Sequence, residues 1–256
     1  MMSILNVLLR PDNLVVAVDT LAEDALTGVP PSGAKLLLIP QHNLVLATRG
    51  STQFFLRIYE LALQASFRAD FTMEQLMAEM GLVIDQLWPN YERAVAEAGL
   101  PIEYLGTELV LGGWSPKNSC MMATAYAKGD SRRPAIVQPI TGQLASPGEP
   151  LHGVVPSMAQ VDLMTAGRLQ AGYLNEKMGR PVAGGAPVDR ISTTGPGGRE
   201  GPWDDLTGAG GSGRCRSLGS WISADQAARL EPLPLPAPGC ASLAGPTALR
   251  HEALGA

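Results

Sequence analysis

The N-terminal segment of the chain reads Ser3-Ile-Leu-Asn-Val-Leu-Leu-Arg-Pro-Asp-Asn-Leu-Val-Val-Ala-Val-Asp19-Thr20 and, after a polar segment, Gly33-Ala34-Lys35-Leu-Leu-Leu-Ile39. Asp19 closes the second apolar run and Lys35 opens the third. The spacings from Ser3 to Asp19 and from Asp19 to Lys35 are both 16 residues. A Ser at a free N-terminus can act as a complete catalytic unit, because its hydroxyl is the nucleophile and its α-amine the base.

The rest of the chain alternates between strand and helix signals. Short apolar runs bounded by turn residues predict strands over 4–9, 14–20, 35–39, 44–48, 107–111, 120–127 and 135–139. Ser51 or Thr52 can cap a first helix, and Thr72 with Gln75 forms a capping box for a second over 73–87. We expect Pro89 to interrupt that helix, a third to cover 90–98, and a last one to cover about 157–177.

These segments resemble the proteasome β-subunits and their bacterial relatives, the N-terminal-nucleophile hydrolases. The run from Val15 to Thr20 matches the family's second strand without a gap, with Ser3 and Lys35 at the positions of its nucleophile and lysine. The segments 46–51 and 109–115 resemble the family's strand-to-helix turn and its Gly-Trp strand. The resemblance implies an α+β fold, a four-layer αββα sandwich over residues 3 to about 185.

The resemblance also implies roles for individual residues. Ser3 would attack an amide carbonyl, and Lys35 would lower the proton affinity of the α-amine and stabilise negative charge. Asp19 would hold Lys35, and the backbone N–H of Gly50 would bind the oxyanion. Ser146 is a candidate for a later Ser near a Gly-rich turn. Taken singly, Ser3, Asp19 and Lys35 could also be an ordinary terminal, turn and solvated residue.

Two features weigh against full activity. The family has an accessory Asp and Ser before a Gly-Gly pair, whereas Arg180 and Ala183 stand at those places here. The chain begins Met1-Met2, so Ser3 acquires a free amine only after processing. The sequence therefore predicts an amide-bond hydrolase, either a peptidase or an amidase. The alternative is a catalytically inactive structural or assembly subunit of proteasome fold.

Charge and composition argue against several classes of binding partner. A net charge of −5 argues against a nucleic-acid binder. The three Cys and three His residues are scattered, so no disulfide framework, metal site or cofactor is indicated, and the glycine pattern at 208–213 follows no strand. No apolar run reaches membrane-span length and no signal peptide is evident, which favours a cytoplasmic protein of bacterial type. Because the relatives form rings, we expect a homo-oligomer acting on a peptide or amide substrate.

The composition changes after Gly184-Gly185. Residues 186–256 are rich in Gly, Pro, Ser, Arg and Ala, and they show no core-strand pattern. Such a segment cannot bury enough apolar surface to offset its chain entropy. We therefore expect one domain over 1–185 and a disordered tail, of the kind that a frameshifted reading of a GC-rich gene would produce.

Overall fold

A computed structural model describes residues 3–22, 33–102, 105–152, 162–184 and 189–194. Its strands are β1 (Leu5–Leu9), β2 (Asn13–Val18), β3 (Leu36–Ile39), β4 (Leu44–Arg49), β5 (Thr107–Ser115), β6 (Cys120–Lys128), β7 (Ile136–Pro139), β8 (Gln143–Ser146) and β9 (Asp189–Thr194). Its helices are α1 (Thr52–Ser66), α2 (Met73–Glu97) and α3 (Asp162–Met178).

The strands form two antiparallel sheets that pack face to face. One sheet has the order β8-β1-β2-β9 and the other β3-β4-β5-β6-β7. Alternate side chains of a strand point to opposite faces of its sheet. In β4, Val45 and Ala47 therefore join the cluster between the sheets, whereas Leu44 and Leu46 join the cluster under α1 and α2. This explains the continuously apolar strands, since both faces are covered.

Helices cover both outer faces. Phe54 of α1 and Trp88 of α2 pack edge to face over the five-stranded sheet, with ring centroids 5.1 Å apart. Leu163 and Ala166 of α3 pack on Leu8 and Val15 of the other sheet. The layers are therefore helix, sheet, sheet and helix, and the predicted αββα sandwich is confirmed.

Both predicted N-caps are present, but the predicted break at Pro89 is wrong. Ser51 Oγ accepts a hydrogen bond from the Phe54 amide at 3.3 Å, and Thr72 Oγ1 accepts one from the Gln75 amide at 3.2 Å. Helix α2 continues through Pro89, whose ring is exposed. A solvent-facing proline costs one helical hydrogen bond and a steric contact, and the buried Trp88 beside it keeps the helix packed.

The structure contains two strands that the sequence did not predict. Strand β8 pairs with β1 where we expected only a turn around Ser146. Strand β9 pairs with β2 from Asn13↔Thr194 to Val18↔Asp189, so the expectation of no core strand after residue 185 is wrong there. The remainder of the tail, 195–256, and the predicted helix start at 157 lie outside the described residues. None of the helices in the described part of the chain combines the length and the apolar composition that a membrane span requires.

Candidate active site

The topology brings three of the five predicted site residues, Ser3, Asp19 and Lys35, together at one end of the sandwich. Strands β1 and β2 are antiparallel neighbours, so Ser3 just before β1 lies beside Asp19 just after β2. Lys35 comes from the facing sheet, immediately before its edge strand β3. The site is therefore a contact between two sheets, and it exists only when the sandwich has formed.

The three side chains form a closed hydrogen-bonded triangle. Ser3 Oγ donates to Asp19 Oδ1 at 2.6 Å, and Lys35 Nζ donates to Ser3 Oγ at 2.8 Å. Lys35 Nζ also lies 2.9 Å from Asp19 Oδ1. Its third hydrogen bond goes to the carbonyl oxygen of Leu21. All three donors of the Lys35 ammonium thus have an acceptor, one of them the candidate nucleophile.

Burial controls the electrostatics of this triangle. Lys35 is 3 % exposed, Asp19 2 % and Ser3 4 %. Burial lowers the pKa of Lys35 because removal from water disfavours its charged form. Asp19 raises that pKa by charge and hydrogen bond, and the Arg49 guanidinium lowers it. The balance is a pKa below the usual value of 10.5, so Lys35 gives up its proton more readily than a surface lysine.

The two carboxylate oxygens of Asp19 differ in their hydrogen bonding. Oδ1 accepts from Ser3 Oγ, from Lys35 Nζ and from the Ile4 amide, the last at 2.8 Å. Oδ2 is buried and has no hydrogen-bond partner among the described residues. The carboxylate thus orients the Ser3 hydroxyl, the Lys35 ammonium and the Ile4 amide.

Sequence reasoning missed two charged residues of the site, Arg49 and Glu108. Arg49 Nε donates to the carbonyl oxygen of Ser3 at 2.7 Å, and Arg49 Nη1 lies 2.9 Å from Glu108 Oε1. They are register partners on β4 and β5, and both are buried. One feature of the sequence could have indicated them: each of two apolar strands contains a charged residue. Burial in the sandwich requires such charges to pair.

Ser146 belongs to this second network. Its Oγ accepts from Arg49 Nη1 at 2.7 Å and donates to Glu108 Oε2 at 2.5 Å. The structure therefore connects Ser146 to Ser3 through Arg49.

Gly50 stands at the turn from β4 into α1. Its φ is +119°, and a Cβ at this position would lie 2.4 Å from the carbonyl oxygen of Gly106. Only glycine fits there. Since Lys35 O accepts a hydrogen bond from the Thr48 amide at 2.8 Å, the turn lies next to the start of β3. The oxyanion role of the Gly50 N–H remains a prediction.

The two accessory positions carry an exposed arginine and a buried alanine. Arg180 is exposed, and Ala183 packs in an apolar cluster with Ile4 and Leu174. Asn175 instead holds the backbone there: its Oδ1 accepts from the Val182 amide at 2.7 Å and from the Ala183 amide at 3.0 Å. Within the described part of the chain, His, Cys, Asp and Glu form no group that could hold a metal ion.

No protein-family profile and no curated protein sequence matches the chain. Among solved structures, an Anbu (Gly-1) mutant from Hyphomicrobium sp. strain MC1 has a TM-score of 0.51 at 14% identity, covering 75% of this chain and 81% of that one. Anbu (ancestral beta-subunit) from Yersinia bercovieri has a TM-score of 0.49 at 14% identity, with coverages of 75% and 82%. The Anbu complex from Pseudomonas aeruginosa, seen in a helical assembly, has a TM-score of 0.47 at 13% identity, with coverages of 75% and 81%.

At this identity the likeness to Anbu is one of fold. It agrees with the two face-packed sheets between helical layers and with the element order along the chain. The chain has the fold of the proteasome-like N-terminal-nucleophile hydrolases.

Proposed function

We propose that this protein is an N-terminal-nucleophile amide-bond hydrolase, a peptidase or an amidase, that becomes active when Ser3 is the first residue. The observation that carries the proposal is the contact of Ser3 Oγ with both Lys35 Nζ, at 2.8 Å, and Asp19 Oδ1, at 2.6 Å. A buried hydroxyl between an ammonium and a carboxylate is oriented and polarised, as a nucleophile requires.

In the acylation step, Ser3 Oγ attacks the amide carbonyl and its proton passes to the α-amine of Ser3. A free α-amine has a pKa of about 7.7–8.0, so it can accept this proton near neutral pH. The Lys35 ammonium and the Gly50 N–H stabilise the negative charge that develops on the carbonyl oxygen. The tetrahedral intermediate then collapses, and the leaving amine takes the proton back from the α-ammonium.

In the deacylation step, water attacks the Ser3 ester while the α-amine accepts the water's proton. The ester bond breaks, the α-ammonium returns its proton to Ser3 Oγ, and the carboxylic acid leaves with the Ser3 hydroxyl and the free α-amine restored. Asp19 accepts hydrogen bonds from Lys35 and Ser3 and so keeps both side chains in place. The reaction uses side chains and backbone of this chain alone, with no cofactor.

A catalytically inactive structural subunit is the second candidate, and Ala183 is the observation that favours it. The side chain at this accessory position is a methyl group within an apolar cluster. It can neither donate to nor accept from the α-amine. In this case the Ser3, Asp19 and Lys35 triangle serves only to join the two sheets.

The deciding experiment uses a chain that begins at Ser3, with intact mass to verify the terminus, and a matched chain that keeps Met2. A hydroxyl-directed acylating reagent should modify Ser3 in the first chain and not in the second, whose Ser3 nitrogen is a peptide amide. Ser3→Ala should abolish labelling and turnover of peptide amides. Turnover that survives Ser3→Ala would place the chemistry elsewhere, and an inert Ser3-terminated wild type would favour the structural subunit.

We also propose that the protein forms a homo-oligomer through the outer face of α1 and α2. Large apolar side chains are exposed on α1, at the residue that follows it and on α2: Leu56 is 46 % exposed, Phe67 76 % and Leu82 65 %. Burying them against a second copy removes apolar surface from water. Light scattering should give a mass above that of one chain, which Leu82→Glu should reduce. A wild-type monomer at micromolar concentration would contradict the proposal.

A further inference from the structure

The peptide unit that joins Ser3 to Ile4 is held at both ends by side chains. Its carbonyl oxygen accepts from Arg49 Nε at 2.7 Å, and its N–H donates to Asp19 Oδ1 at 2.8 Å. The paired register of β1 with β2 begins only at Leu5↔Val18. The candidate nucleophile therefore precedes the regular sheet, and side-chain hydrogen bonds fix its backbone.

Arg49 is itself held firmly. Glu108 faces it across the β4–β5 ladder and accepts at 2.9 Å, and Ser146 Oγ joins their two heads from β8. Arg49 is 5 % exposed and Glu108 6 %, so each charge depends on the other for compensation. Once Ser3 is the first residue, it has a covalent neighbour on one side only. The network of Arg49, Glu108 and Ser146 then ties it to both sheets.

We propose that Arg49 is a positioning residue for the Ser3 nucleophile, fixing the Ser3 carbonyl while Glu108 and Ser146 fix Arg49. The inference rests on the proposed function. A terminal residue bonded to the chain on one side only tends to fray. Acyl transfer, however, needs the hydroxyl and amine within a fraction of an ångström of their working positions. The Arg49 charge has a second effect, since it adds to burial in lowering the pKa of Lys35 against the opposing effect of Asp19.

The test compares two double variants in chains that begin at Ser3. Arg49→Met with Glu108→Gln removes both charges of the network, so neither is left buried alone. The matched control, Lys128→Met with Asp85→Asn, removes another pair, whose Nζ and Oδ1 atoms are 2.6 Å apart. Lys128 is buried on β6 and pairs with Asp85 of α2, so this pair lies on the helix-facing side of the five-stranded sheet.

Two quantities are measured after circular dichroism shows that both variants are folded. The first is the rate at which a small acylating reagent modifies Ser3 as a function of pH. The second is hydrogen exchange at the Ile4 amide, which reports on the same peptide unit without any chemistry at Ser3. In the Arg49→Met, Glu108→Gln variant we expect acylation to be roughly 10- to 100-fold slower. The pH midpoint of acylation should be higher, because loss of the Arg49 charge removes one of the causes that lower the pKa of Lys35. Hydrogen exchange at the Ile4 amide should be faster.

The control variant should keep the wild-type acylation rate, pH midpoint and Ile4 exchange. Equal Ile4 exchange in the two variants would overturn the positioning role, as would equal acylation with an unmoved pH midpoint. If wild-type Ser3 is not acylated at all, the proposed function fails. Ile4 exchange then still decides whether Arg49 holds the Ser3 backbone.

Discussion

Lys35 Nζ lies 2.8 Å from Ser3 Oγ, although the two residues belong to different sheets. Lys35 is followed by the edge strand β3, whereas Ser3 is followed by the interior strand β1. Their contact therefore reports on the docking of the two sheets. The same bond that would activate the nucleophile also contributes to the stability of the sandwich.

Removing one charge of the Lys35–Asp19 pair should destabilise the protein more than removing both charges together. Lys35→Met leaves a buried carboxylate and Asp19→Asn a buried ammonium, and each should lower the free energy of unfolding by about 3–5 kcal/mol. The double variant Lys35→Met, Asp19→Asn leaves no uncompensated charge and should lose less than the two single losses combined. Urea denaturation of the four proteins checks this, and strictly additive losses would show that the pair is not coupled.

The lowered pKa of Lys35 gives the stability a specific pH dependence. Between the folded-state pKa and the unfolded value near 10.5, the unfolded chain binds more protons at this residue than the folded chain. Stability contributed by this residue therefore rises with pH across that window and is smallest below it. Wild type minus Lys35→Met, measured by denaturation at several pH values up to 10, should show an upward slope. A flat or falling difference would mean that burial does not control this lysine.

Gly50 should tolerate no side chain, for two reasons that a control separates. Gly50→Ala combines a positive φ with a Cβ only 2.4 Å from the Gly106 carbonyl oxygen. Gly142 has a φ of +75° but open space around its Cβ position. Gly142→Ala should cost about 1 kcal/mol for the backbone alone, and Gly50→Ala clearly more. Equal losses in thermal unfolding would show that the turn relaxes away from β5.

The sequence could predict those parts of the structure that nearby residues along the chain specify. Asp19 and Lys35 stand at ends of long apolar runs, so their distance along the chain already indicates where the strands begin and end. Strand β8 was not predicted because its four residues lie between Gly142 and Pro147, two residues that are typical of a turn. The pairing of Arg49 with Glu108 depends on the register of β4 with β5, which neither strand specifies alone.

Strand β9 was not predicted because its sequence lacks an alternating apolar pattern. Asp189–Thr194 contains a single large apolar residue, Ile191, and the backbone pairing with β2 makes it a strand. Its place at the edge of the four-stranded sheet gives the chain after Gly184 a structural role that its composition did not indicate. We therefore propose that the domain extends to Thr194 and that the disordered tail begins after it.

Two truncations test this boundary. A chain ending at Thr194 keeps all six paired residues of β9 and should match the full-length protein in melting temperature. A chain ending at Gly184 lacks β9, which leaves β2 as an edge strand with unpaired backbone N–H and C=O groups. Such an edge is less stable and prone to pair with other chains. This shorter chain should melt earlier and form aggregates visible by size-exclusion chromatography. Identical behaviour of the two truncations would show that β9 contributes nothing to the sheet, and a strong loss in the longer one would give residues 195–256 a structural role.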